Sequence, residues 1–253
     1  MNKLLIYSFL SFGISVSNAQ EFIVNAPNGL IVRDKPNGKK LNKIPFGSKL
    51  NVTKKLEAFT VIDNGKSISG NWVQASINHS NFESDSYFDT SKFYVFNGFL
   101  TPLNQFIDEQ EKNIGKHSAL KDFYLAKDYN VFAIKGDFFG DGIEDDLYRM
   151  IDINGNTRLM IINYTQNGSK IYGLGGNKDP FNIEDYSFGQ LSKVPKGTPL
   201  WSNYDDDFRE FKNVPKNEIV KINHDAIYVH YEESCGGGFI FWKNNKWNWL
   251  QQE

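Results

Sequence analysis

The chain has 253 residues, a net charge of −2 and a single cysteine. The balanced charge, with no run of Lys and Arg interleaved with aromatics, excludes a nucleic-acid footprint and attraction to an anionic membrane surface. One cysteine excludes an intrachain disulfide, so stability must come from core burial, and the length allows two domains.

Residues 1–19 read as a leader outside the fold. Lys3 supplies a short basic start, Leu4 to Val16 is an apolar run, and Ser17, Asn18 and Ala19 are the small residues of a cleavage site. That is the pattern of a secretory signal peptide. The run is too short to cross a bilayer, which takes about 20 residues. No later stretch is long and apolar enough to make a transmembrane segment. The expected location is the periplasm or the cell exterior.

Residues 20–101 are predicted to form a domain of short strands: Phe22 to Val24, Leu30 to Arg33, Lys49 to Lys54, Phe59 to Ile62, Asn71 to Ala75, and a closing run from Phe93 to Leu100. Pro27-Asn28-Gly29 and Asn64-Gly65 are turn signals, the latter typical of a tight hairpin. Many short strands at close spacing argue for a small barrel. Four motifs in order, GLIVRDKPNGK, IPFGSKLNV, NWVQA and YVFNGFL, resemble the bacterial Src homology 3 (SH3-like) domain over about residues 22–101. Two departures stand out. Phe93 replaces a customary glycine, and Ser76 to Lys92 is an insertion that carries Phe82, Tyr87 and Phe88. The resemblance implies a non-catalytic domain that binds cell-wall peptidoglycan or a peptide, with Arg33 and Trp72 as ligand-binding residues. The competing reading makes Trp72 a core residue and Arg33 a brace for its loop.

Residues 102–128 are the expected helical connector. Leu103, Phe106, Ile107 and Ile114 fall at helical spacing, and Ser118 is placed to cap a second short helix carrying Leu120, Phe123 and Tyr124.

Residues 129–253 are predicted to be an antiparallel β-domain. Strand signals cover Asn130 to Ile134, Leu147 to Ile153, Thr157 to Tyr164, Lys170 to Leu174, Glu218 to Ile222, Ala226 to Tyr231, Gly238 to Trp242 and Lys246 to Leu250. Between the first two lies GDFFGDGIEDD, Gly136 to Asp146. Asp137, Asp141 and Asp145 recur every four residues, and Gly142 sits where a tight loop needs positive φ. A short loop with several carboxylates and a glycine at the bend suits a hard cation such as calcium. The element resembles GDFNGDGxxDL of FG-GAP (integrin-type) repeats, which implies calcium held by Asp137, Asp141 and Asp145. Phe139 stands where that pattern has Asn or Asp, which removes one oxygen. A complete propeller of at least four blades does not fit in this length. The other reading is an acidic turn in which Asp and Gly shape the backbone.

Two further features invite chemistry. Cys235, followed by three glycines, is either a nucleophile served by His224 or His230, or a small buried residue beside a bulge. Trp247 and Trp249 alternate onto one face, which is either a sugar platform or core.

The expected class is all-β: a small SH3-like barrel, a short helical connector and a second antiparallel β-domain. The expected function is that of a secreted or periplasmic non-catalytic binding protein for cell-wall glycan or peptide. An inhibitor or immunity protein that binds a toxin or hydrolase is the alternative.

Overall fold

A computed structural model describes residues 20–77, 89–205, 207–231 and 236–252. The expected leader, Phe82, Tyr87 and Phe88 of the insertion, and Cys235 lie outside the described residues.

The alternation and turn chemistry resolve into three antiparallel sheets. Strands β1 (Gln20–Val24), β2 (Leu30–Arg33), β3 (Lys40–Ile44), β4 (Lys49–Asp63), β5 (Lys66–Ser76), β6 (Phe93–Phe96) and β7 (Leu100–Pro102) make the first. Their order is β3-β2-β6-β5-β4-β1-β7, so β3 and β7 are the end strands. The two strands expected at 49–54 and 59–62 are one continuous strand of 15 residues, β4. Its ladder with β5 shifts register between Val52 and Lys54 and again between Lys55 and Ala58. Such bulges interrupt the side-chain alternation, which is why the sequence reads as two pieces. Asn64 and Gly65, at φ 47° and 77°, close the β4–β5 hairpin as expected.

Helix α1 (Leu103–Ile114) follows, its buried side being Phe106, Gln110 and Ile114. The second helical turn expected after Ser118 is a single 3-10 turn, Ser118–Leu120, and Tyr124 belongs to a two-residue strand, β8 (Tyr124–Leu125).

The second sheet comprises β8, β9 (Ala133–Gly136), β10 (Asp145–Ile151), β11 (Thr157–Thr165) and β12 (Gly168–Leu174). Its order is β12-β11-β10-β8, with β9 also paired to β10. The third sheet is β13 (Gln190–Val194), β14 (Ala226–His230), β15 (Gly237–Lys243) and β16 (Lys246–Gln252), in that order. Asn244 and Asn245, both at positive φ, turn β15 into β16. The strand expected at 218–222 is reduced to one bridge, Leu200 to Val220.

The second sheet is the middle of the molecule. Leu147, Leu159 and Ile161 face a core shared with Ile227, Val229 and Ile240 of the third sheet. Tyr148, Met150, Met160 and Ile162 face the opposite way, into a core with Phe106 and Ile114 of α1 and Ile23 and Phe46 of the first sheet. Burial on both faces explains why β11 reads as a near-continuous apolar run. A third cluster, including Val32, Leu50, Val73 and Val95, fills the first sheet itself.

The first and second sheets also touch through backbone. Lys49 N–H donates to Asn130 Oδ1 at 2.9 Å. Gly47, at φ +83°, lies so close to the Ala133 carbonyl that any Cβ there would collide with it. A polar latch adds to this contact. Asn113 Nδ2 of α1 donates to Asp146 Oδ2 at 2.8 Å and lies 2.8 Å from Tyr164 Oη. Tyr148 Oη donates to Gln110 Oε1 at 3.1 Å. Burial pushes the Tyr164 hydroxyl up to about 12 and that of Tyr148 higher still, so both are protonated donors. Among the described residues no helix is long and apolar enough to cross a membrane.

Candidate functional site

The structure brings Arg33 and Trp72 to the same groove. Alternation on β4 turns Phe59, Val61 and Asp63 to one side of the hairpin. There they join Trp72 of β5, Phe96 of β6 and Phe99 of the following 3-10 turn (Asn97–Phe99). The groove holds about 460 Å³, within the usual range for a ligand site.

Its floor is aromatic. The Phe59 ring lies 5.3 Å from Trp72, tilted by 40°, and 5.7 Å edge-on from Phe96. Phe96 is 5.8 Å edge-on from Phe99. Gly98 makes this packing possible, because a Cβ there would strike the Phe96 ring. Trp72 is only 4% exposed, so much of its surface is committed to packing. Its Nε1 is buried and has no hydrogen-bond partner among the described residues. A buried indole N–H normally finds an acceptor, and leaving it unmet costs about 1–3 kcal/mol.

Arg33 supplies the charged wall. Its Nη1 donates to the Gly38 carbonyl at 2.6 Å, which closes the 34–39 loop. It makes no ion pair with any described residue. The remaining guanidinium N–H groups have no partner among the described residues. The bracing role and the binding role therefore use different donors of one side chain.

The acidic turn is shaped by its own carboxylates. Asp137 Oδ1 accepts from Gly140 N–H at 2.7 Å and Asp141 N–H at 3.1 Å, and Oδ2 accepts from Gly142 N–H at 3.1 Å. Asp141 Oδ1 accepts from Ile143 N–H at 2.9 Å. Asp145 is fully buried. It accepts from Phe138 N–H at 3.0 Å, Asn163 Nδ2 at 3.0 Å and Tyr164 N–H at 3.2 Å. Burial pushes its carboxyl up to about 6, partly offset by these three donors. Backbone N–H groups of the turn thus close it around Asp137 and Asp141, while Asp145 is hydrogen-bonded inside the core. Among the described residues, no group of three or more His, Cys, Asp or Glu side chains is placed to hold a metal.

Phe139 anchors the turn through ring contacts. The residue that departs from the FG-GAP pattern packs 4.7 Å from Tyr172, 5.0 Å from Trp242 and 5.2 Å from Trp247. The turn is pinned to the core by an aromatic side chain where a calcium loop would have an oxygen. Trp249 lies 5.8 Å from Phe181, and both Trp247 and Trp249 pack, partly buried, against the core between the second and third sheets.

No family model, curated protein or solved structure matches the chain. Function is therefore argued from the groove and its surroundings.

Arg33 and Trp72, the residues expected from the sequence, line this groove, and Phe59, Phe96 and Phe99, which line it with them, were not singled out. The bulges in β4 concealed the alternation that faces Phe59 inward. The motif YVFNGFL held the signal for the other two, since a glycine between aromatics permits close ring contact.

Proposed function

We propose that this protein is an exported, non-catalytic binding protein that holds an extended peptide, that of cell-wall peptidoglycan, in the groove of its SH3-like first domain. The observation that carries the reading is the convergence of Phe59, Trp72, Phe96 and Phe99 with Arg33 around one groove. Aromatic floors bury flat, apolar segments at low conformational cost. The Arg33 donors that have no partner among the described residues suit backbone carbonyls or a carboxylate. Such a pairing of an apolar floor with a few polar donors is how small-ligand sites fix orientation.

The test is sedimentation with purified sacculi. The wild-type protein should pellet, and Phe59→Ala and Arg33→Ala should each weaken binding roughly tenfold, the scale of one lost aromatic or charge-assisted contact. Thermal melts of both variants serve as the folding control. Wild-type protein left wholly in the supernatant would refute the reading, and a co-purifying protein partner would then favour the inhibitor class.

A further inference from the structure

A second cleft lies where the three sheets meet. Lys43 comes from β3 of the first sheet and Lys135 from β9 of the second, while Lys193 of β13 and Lys196 just beyond it belong to the third. The cleft holds about 570 Å³, and the Pro27-Asn28-Gly29 turn that walls the aromatic groove walls this one too. Clefts between packed units are favoured ligand sites.

The arrangement needs an electrostatic explanation. Four lysines line this one cleft against two acidic residues, Asp137 and Asp225, in a chain whose net charge is negative. Like charges brought together repel, and a fold accepts that only when something offsets it. Two of the four are offset internally. Lys135 Nζ lies 3.2 Å from Asp146 Oδ1, and Lys193 Nζ lies 3.9 Å from Asp225 Oδ2. Lys43 and Lys196 are exposed and make no ion pair with any described residue.

Asp225 organises the floor. Its Oδ2 accepts from Asp137 N–H at 3.0 Å and its Oδ1 accepts from Lys196 N–H at 2.9 Å. Asp225 N–H in turn donates to the Asp137 carbonyl at 2.9 Å. One carboxylate thus ties the end of β9 to the segment after β13 and fixes Lys196 at the rim. The acidic turn therefore has a positional role, because Asp137 is the residue to which this floor is tied.

We propose that this cleft is an oxyanion-binding site, in which Lys43 and Lys196 grip a carboxylate or phosphate group and Lys135 and Lys193 add to the local potential. The assignment does not depend on what the aromatic groove holds.

The experiment is a backbone-amide NMR titration of the purified protein with succinate and, separately, with inorganic phosphate. The expected result is a saturable shift of the Asn28, Lys43 and Lys196 amides with at least one titrant. The preferred titrant tells a carboxylate site from a phosphate site. Lys43→Ala/Lys196→Ala should weaken that binding roughly tenfold, while Lys54→Ala, an exposed control on β4, should leave it unchanged. Raising ionic strength from about 0.1 M to about 1 M, which shortens screening from about 10 to about 3 Å, should abolish it. Shifts that fail to saturate, that spread over surface lysines outside the cleft, or that survive the double substitution would overturn the proposal, as would no shift with either anion. Because no sacculi are involved, failure here leaves the aromatic-groove reading standing, and the converse holds.

Discussion

Arg149 offers the sharpest test of the energetic reasoning. It sits on β10 two residues after Leu147, is 0% exposed, and none of its three guanidinium nitrogens has a hydrogen-bond partner among the described residues. Its one compensation is the Tyr129 ring, 4.3 Å from Cζ. Burial pushes its proton affinity down to about 10, against a small opposing contribution from Tyr129. Each tenfold loss of proton affinity corresponds to about 1.4 kcal/mol, so keeping this cation inside the fold costs on the order of 3 kcal/mol. Replacing a buried charge by an apolar side chain of similar volume removes that cost, less about 1–2 kcal/mol for imperfect repacking. Arg149→Met should therefore stabilise the protein by about 1–2 kcal/mol, or about 2–4 °C in Tm per kcal/mol for a chain of this size. Urea unfolding followed by tryptophan fluorescence measures it. The sign with pH is also fixed. A base whose folded-state pKa is lowered destabilises the fold at every pH below about 10, and that penalty disappears only as pH rises from there to the ordinary arginine value. The gain in Arg149→Met should thus be flat between about pH 6 and 9. A loss of more than about 1 kcal/mol would refute the reasoning, because it would mean that the guanidinium is compensated.

Other predictions follow from the same bookkeeping. Asp145 has its carboxyl raised to about 6, so the folded state holds the proton longer than the unfolded chain does, and this group's contribution to stability falls as pH rises from about 4 to about 6. The destabilisation caused by Asp145→Asn, measured in urea, should accordingly be larger at pH 4.5 than at pH 7, by about 2 kcal/mol. Phe139→Asp, which restores the oxygen of the calcium pattern, should cost about 2–3 kcal/mol through lost packing on Tyr172, Trp242 and Trp247, read as a fall in Tm. Asn113→Ala should cost about 1–3 kcal/mol by leaving Asp146 and Tyr164 short of a donor where α1 meets the second sheet.

The all-β class, most strands and the two Asn-containing hairpins were legible because they rest on local signals: alternation, β-branched runs and residues tolerant of positive φ. What escaped was non-local. Nothing along β4 announces that its two halves are one strand, since the bulges break the period that would say so. Lys43, Lys135, Lys193 and Lys196 are scattered over more than 150 positions, and only the stacking of three sheets collects them. The acidic turn was visible as a motif, but its chemistry was not. How the loop closes depends on Phe139, whose ring partners lie far along the chain.

A slab plastered on both sides has no free surface to offer when either coat is stripped. The middle sheet gives half its side chains to the helix and the first sheet and the other half to the third. Removing either outer layer would bare a wall of leucine, isoleucine and methionine to water. Heat should therefore take the whole assembly apart in one step, and a truncation at either margin of that sheet should yield aggregates in place of a smaller working protein.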